Sequence, residues 1–122
     1  MKVTHEQFLA LELPETYFAV FKGSTDPKTG ENWCSDCVAA EPALKKIAYP
    51  TAKENGVPLY VVSCGLREVW KDKDHPLRVS KTFKLTGVPT MVKVVEGSVI
   101  QRLVEGELAD ESMITLMMDD DD

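Results

Sequence analysis

The sequence predicts an α/β protein with a mixed central sheet flanked by helices on both faces, in the order α-β-α-β-α-β-β-α. Three observations carry this. Residues 17–21 and 59–64 are continuous apolar runs, the pattern of strands buried on both faces of a parallel sheet. Between them, Cys37, Ala40, Leu44, Ile47 and Ala48 recur at helical spacing, so the connection is a crossover helix and the two strands form a parallel pair of right-handed connection. Residues 90–95 and 99–104 are two further runs separated only by Glu96, Gly97 and Ser98, which is hairpin spacing. A parallel pair and an antiparallel pair in one sheet, with helices to cover it, satisfy all three.

Each element has its own local cause. Thr4 followed three residues later by Gln7 is a capping-box pattern and starts a helix over about 5–12. Phe8, Leu9 and Leu11 supply its buried side, and His5 is expected on its surface. The first strand, 17–21, is followed by residues 23–32, rich in Gly, Ser, Thr, Asp and Pro. That loop exceeds the usual strand-to-helix connection of about 2–6 residues, which marks it as functional. The helix that opens at Cys34 contains Pro42 and Pro50, each of which lacks an N–H and should kink or break it. Asn55-Gly56 is a C-terminal cap. After the second strand, residues 65–76 read as polar and irregular, and 76–84 as a short helix whose apolar side is Leu77, Val79, Phe83 and Leu85. Gly87-Val88-Pro89-Thr90 is a turn, and 109–118 is a final amphipathic helix capped by Asp110.

Composition narrows the function classes. At 122 residues one domain is expected, over 1–118, with 119–122 as an acidic tail. The net charge of −6, with no basic stripe, argues against a nucleic-acid partner. The apolar runs fall far short of the ~20 residues of a membrane helix, and the start of the chain lacks a secretory core. A cytosolic, monomeric protein is therefore expected. Three cysteines do not make a disulfide scaffold. In a reducing compartment the Cys34-Ser35-Asp36-Cys37 spacing reads as catalytic or metal-binding.

The position of that pair favours catalysis. Cys34 follows a loop and opens a helix, where unpartnered N–H groups and the dipole stabilise a thiolate. A thiolate of lowered pKa attacks disulfides at neutral pH. Two intervening residues let Cys37 reach back on the same turn and resolve the mixed disulfide. Cys34 is assigned as nucleophile and Cys37, which begins the apolar face, as resolving thiol. Trp33 would flank the nucleophile. Pro89, in a Val-Pro-Thr turn that leads into a strand, is a candidate cis-proline.

Trp33-Cys34-Ser35-Asp36-Cys37, Pro42 five residues on, and Gly87-Val88-Pro89-Thr90 together resemble the thioredoxin superfamily. More narrowly, the ten-residue loop, Asp36 inside the motif, Ala40-Glu41-Pro42 and Trp70-Lys71-Asp72 resemble the Clot-type thioredoxin-related proteins, the thioredoxin domain-containing protein 17 family. The resemblance runs over nearly the whole chain. It implies a thioredoxin fold, Pro89 as the cis-proline, and Val88 facing the sulfurs. It also implies a disulfide reductase with no bound cofactor, recharged by NADPH through thioredoxin reductase. Its disulfide-containing protein or small-disulfide substrates would span a narrower range than thioredoxin's, with peroxidase-type activity also attributed to the family.

Two departures stand out. The family usually has Pro where this chain has Ser35, which loosens the helix start. Thioredoxin's buried Asp upstream of its Trp-Cys has no clear counterpart; Asp36 lies beside the cysteines instead and is a candidate for tuning proton transfer to Cys37. Trp70, Lys71 and Asp72 are candidates for a charged rim that restricts access to Cys34. Cys64 is expected to be a buried, inert thiol. The alternative function is a thioredoxin-fold binding or metal-binding module, since Cys34, Cys37, Cys64 and His75 equal a Cys3His zinc set in number only.

Overall fold

The structure is a computed structural model that describes residues 1–119; the last three aspartates of the acidic tail lie outside the described residues. Its elements in chain order are β1 (Lys2–Thr4), α1 (His5–Leu9), β2 (Tyr17–Lys22), α2 (Ser35–Ala43), a π-helical turn (Leu44–Ala48), α3 (Tyr49–Asn55), β3 (Leu59–Ser63), α4 (Arg67–Lys71), α5 (Pro76–Val79), β4 (Thr90–Val95), β5 (Ser98–Val104), a 3-10 turn (Glu105–Ala109) and α6 (Glu111–Met118).

These strands form one sheet in the order β1-β3-β2-β4-β5. β1, β3 and β2 run parallel, while β4 is antiparallel to both β2 and β5. The parallel crossover and the hairpin are those the sequence predicts. β2 is apolar throughout because both its faces are covered. Tyr17, Ala19 and Phe21 pack with Phe8, Leu77 and Phe83 on one face. Phe18 and Val20 pack with Ala40, Leu44, Ile114 and Met117 on the other. The turn from β4 to β5 is Glu96-Gly97, with φ of 53° and 79°; left-handed backbone at both central residues matches the twist of the flanking strands.

Several local expectations are corrected. β1 is absent from the sequence reading, because three residues of Lys-Val-Thr carry too little pattern. α1 is shorter than predicted, although its capping box is formed by Thr4 and Gln7. Phe8 is fully buried, whereas Leu9 and Leu11 are exposed and His5 is buried instead. The helical stretch of 35–55 neither ends at Pro42 nor breaks at Pro50. A π turn lies between them, with the Tyr49 N–H donating to the Leu44 carbonyl. Pro50 then sits in the first turn of α3, where a missing donor is harmless. Residues 65–76 contain the helical turn α4 rather than irregular chain, and α5 stops at Val79, whose side chain is exposed. Leu77, Phe83 and Leu85 are buried as predicted. α6 starts at Glu111 with Asp110 as its N-cap, accepting the Ser112 N–H.

Register brings four separate segments to one edge of the sheet. Phe21 of β2 pairs with Thr90 of β4, Lys22 with Ser63 of β3, and Thr90 with Val104 of β5. The chain after β2, the chain after β3, the chain before β4 and the chain after β5 therefore meet there. Ligand sites in open α/β sheets gather where strand order reverses, outside the strand ends.

Candidate active site

At that edge Cys34 is the N-cap of α2, with extended backbone at φ −94° and ψ 104°. Its Sγ accepts the Cys37 N–H at 3.2 Å, one of the helix-start donors that has no intrahelical partner. The two cysteines form a disulfide, with Cα atoms 5.2 Å apart. Cys37 Sγ accepts the Gly23 N–H at 3.4 Å. The Val88 carbonyl oxygen lies 3.5 Å from Cys34 Sγ, and the Val88–Pro89 peptide is cis. The Pro89 carbonyl accepts the Glu105 N–H, which ties the loop after β5 to this turn.

Side chains of the long loop hold the nucleophile's backbone. Asn32 Oδ1 accepts the Cys34 N–H at 2.9 Å, and Asn32 Nδ2 donates to the Gly23 carbonyl at 2.7 Å. Asparagine bonding to a backbone group two residues on is an Asx turn. Trp33 Nε1 donates to the Gly65 carbonyl at 3.0 Å, and Ser24 bonds the same glycine at both its N–H and its carbonyl. Gly65 has φ 102°, and a Cβ there would collide with Val69 of α4. A glycine is therefore what allows α4 to fold back over Trp33.

Cys34 opens onto a cleft of about 280 Å³ lined by Trp33, Asp36, Arg67, Trp70, Lys71, Arg78, Val88 and Glu105, among others. Cys37 does not line it. The Arg67 guanidinium lies 5.4 Å from the Trp33 ring centre, and that of Arg78 lies 4.0 Å from the Trp70 ring centre. Arg78 Nε also donates to the Trp70 carbonyl. Such stacking fixes guanidinium groups at modest cost. The cleft therefore has a basic side of Arg67, Lys71 and Arg78, and an acidic side of Asp36 and Glu105.

Of the residues singled out from sequence, Trp33, Cys34, Ser35, Asp36, Val88, Trp70 and Lys71 all line this cleft. Asp72 does not line it; it caps the C-terminal end of α4 and accepts the Asp74 N–H. Trp70 is nearly fully buried, so it forms a wall of the cleft rather than a rim. Sequence reasoning missed Asn32, Arg67, Arg78 and Glu105. The two arginines and Glu105 lack any local pattern, and only Asn32, two residues before a helix start, carried a signal of its own.

Cys64 is fully buried, and burial pushes its thiol up to about 12. Its carbonyl bonds His75 Nε2 at 2.9 Å. Among the described residues no three His, Cys, Asp or Glu side chains converge as a metal-binding set. Among them, too, no helix is long and apolar enough to cross a membrane.

Comparison with known proteins agrees with this geometry. Residues 3–120 match a family model described as the thioredoxin domain-containing protein 17-like thioredoxin domain. The chain is 44% identical to the thioredoxin-like protein Clot of Arabidopsis thaliana over 86 residues, 70% of this chain and 63% of that protein. It is 38% identical to thioredoxin domain-containing protein 17 of Danio rerio over 104 residues, 85% of this chain and 78% of that one. The match thus spans just under two thirds of the plant relative's length. Among solved structures, Plasmodium falciparum thioredoxin superposes with a TM-score of 0.58 at 15% identity, covering 97% of this chain and 96% of that one, which shows the thioredoxin fold. A Cys-x-x-Cys pair at disulfide distance in this fold supports thiol–disulfide oxidoreductase chemistry in general. By sequence match over nearly its full length, the chain belongs to the thioredoxin domain-containing protein 17-like family of thioredoxin domains.

Proposed function

We propose that this protein is a disulfide reductase in which Cys34 is the nucleophile and Cys37 the resolving thiol. The observation that supports it is the asymmetry of the pair. Cys34 opens onto the cleft and takes a helix-start N–H, while Cys37 sits behind it against the Gly23 amide. In the reduced protein, the Cys34 thiolate attacks one sulfur of a substrate disulfide. That S–S bond breaks, a mixed disulfide forms, and one substrate sulfur leaves as thiolate. The Cys37 thiolate then attacks Cys34 Sγ, the Cys34–Cys37 bond forms, and the second substrate sulfur leaves. Two electrons have passed to the substrate. A hydroperoxide would be reduced by the same pair: Cys34 attacks its terminal oxygen, the O–O bond breaks, the alcohol leaves and Cys34 becomes a sulfenic acid, and the Cys37 thiol then attacks that sulfur, forming the Cys34–Cys37 bond and releasing water.

The electrons that restore the dithiol come, in this reading, from NADPH through thioredoxin reductase, with no cofactor bound to the chain. The cytosol is the compartment in which such a pair would be kept reduced. The charged cleft walls support a narrower substrate range than thioredoxin's, because a disulfide must fit between Trp33 and Trp70 and tolerate both an acidic and a basic side. The experiment is a coupled assay. Protein, NADPH, thioredoxin reductase and a panel of protein and small disulfides should consume NADPH, and Cys34→Ser should abolish consumption. No turnover with any disulfide would overturn the proposal. Turnover only with glutathione and glutathione reductase would reassign the electron donor.

A further inference from the structure

Cys37 has a second opening of its own. A pocket of about 260 Å³, separate from the cleft at Cys34, is lined by Cys37, Glu41, Lys22 and the loop residues Thr25, Gly30 and Asn32. Glu41 lies one turn beyond Cys37 on α2, and side chains four apart on a helix are neighbours, with roughly 5–6 Å between Cβ atoms. Lys22 Nζ holds Glu41 Oε2 at 3.3 Å, with both side chains largely shielded from solvent. Lys22 is also the residue before Gly23, whose N–H reaches Cys37 Sγ.

This ion pair lies beside the resolving thiol, lining the same pocket. Cys37 must lose its proton before it can attack, and the cleft at Cys34 does not reach it. Asp36, the acid adjacent in sequence, opens onto that cleft and not onto the pocket. The titratable groups facing Glu41 are Lys22 from β2 and, on its own helical stretch, Cys37 and Tyr49. The loop contributes no charged side chain to the pocket.

We propose that Glu41, held in place by Lys22, accepts the thiol proton of Cys37 in the resolving step, through solvent filling the second pocket. This rests on the dithiol reading above. The Cys37 S–H proton passes to the Glu41 carboxylate, and the Cys37 sulfur, now a thiolate, attacks Cys34 Sγ. The Cys37–Cys34 bond forms as the bond between Cys34 and the substrate breaks, and the substrate sulfur leaves with the electron pair. Glu41 then returns its proton to solvent. A group of this kind contributes about 10²-fold or more when it is the general base.

The test mixes reduced protein rapidly with an equimolar chromogenic aromatic disulfide, 5,5′-dithiobis(2-nitrobenzoate). One coloured thiolate is released when Cys34 attacks and a second when Cys37 resolves. For Glu41→Gln the first release should stay within about twofold of the parent, because Cys34 lies on the other side. The second should slow at least about tenfold at pH 7 and recover towards the parent rate near pH 9, where the thiol ionises without help. Glu41→Asp should restore part of the rate. If circular dichroism shows Glu41→Gln unfolded, Glu41→Met carries the test, with the same slowing of the second release. A second release within twofold of the parent from pH 6 to 9, in whichever of Glu41→Gln and Glu41→Met folds, overturns the proposal. A parent protein that releases only one thiolate overturns the dithiol reading itself.

Discussion

The Asn32 side chain ties the backbone of the nucleophile to the end of β2, accepting the Cys34 N–H at 2.9 Å and donating to the Gly23 carbonyl at 2.7 Å. It closes the long loop onto the start of α2. Asn32→Ala leaves both backbone groups without that partner in a half-buried setting, so unfolding free energy should fall by about 1–2 kcal/mol. Asn32→Asp keeps the acceptor for Cys34 but adds an anion beside its sulfur. The thiol pKa of Cys34, followed by alkylation rate against pH, should rise in Asn32→Asp. An unchanged alkylation profile would remove Asn32 from the control of the nucleophile.

Ser35 occupies the first helical position, and Cys34 before it has the extended backbone that a following proline requires. Ser35→Pro should therefore fit without strain and stabilise the reduced protein by about 0.4–1 kcal/mol, by restricting the unfolded chain. Urea unfolding under reducing conditions measures this. A destabilised Ser35→Pro would mean that the serine N–H has a role at the helix start.

Arg67 and Lys71 give the cleft its basic side, and Arg67 is held against Trp33. In the double variant Arg67→Glu/Lys71→Glu, kcat/KM should fall at least about tenfold for disulfides flanked by acidic residues, and change little for neutral ones. The loss should shrink as salt is raised, because exposed charges are screened over about 10 Å at 0.1 M. An equal loss for all disulfides would instead point to a collapsed cleft wall.

His75 is buried, and its two ring nitrogens are both engaged. Nδ1 accepts the Leu77 N–H at 3.1 Å, which leaves the proton on Nε2 to donate to the Cys64 carbonyl. Burial lowers its pKa below the usual 6.5; the hydrogen bond to the Cys64 carbonyl and the nearby Asp72 offset part of this, and the Arg78 guanidinium adds to it. The unfolded chain therefore binds a proton that the native state refuses. Stability should be fully present above about pH 6.5 and decline as pH falls below it, by at most about 1.4 kcal/mol per unit from this group. Urea midpoints between pH 7.5 and 5 should show that decline. A midpoint flat across the range would show that His75 takes up a proton as readily folded as unfolded.

Much of this protein was legible in local pattern. The apolar run of β2 requires cover on both faces, the helical spacing after Cys34 requires a crossover, and Glu96-Gly97 requires a hairpin. The capping box of Thr4 and Gln7 and the cap at Asp110 were readable because their partners lie within three residues. Cys34 and Cys37 were found for the same reason, since a helix start and a two-residue spacing are both local. Where reading failed, the deciding contact lay elsewhere in the chain. His5 is buried against His75, with ring centres 4.3 Å apart and the rings tilted to each other. Leu9, the last residue of α1, is exposed although its neighbour Phe8 is fully buried.

The sequence alone determined the longer elements, the parallel pairing of β2 with β3, the β4–β5 hairpin and the reactive pair, since each rests on periodicity or on residues within one turn. Only the tertiary structure decided what surrounds that pair. Strand register brings Gly65, Val88 and Glu105 to the edge where Cys34 sits, and it sets Lys22 of β2 against Glu41 of α2. No local rule encodes such neighbours, because side chains distant in sequence meet only after the sheet has fixed where each segment ends.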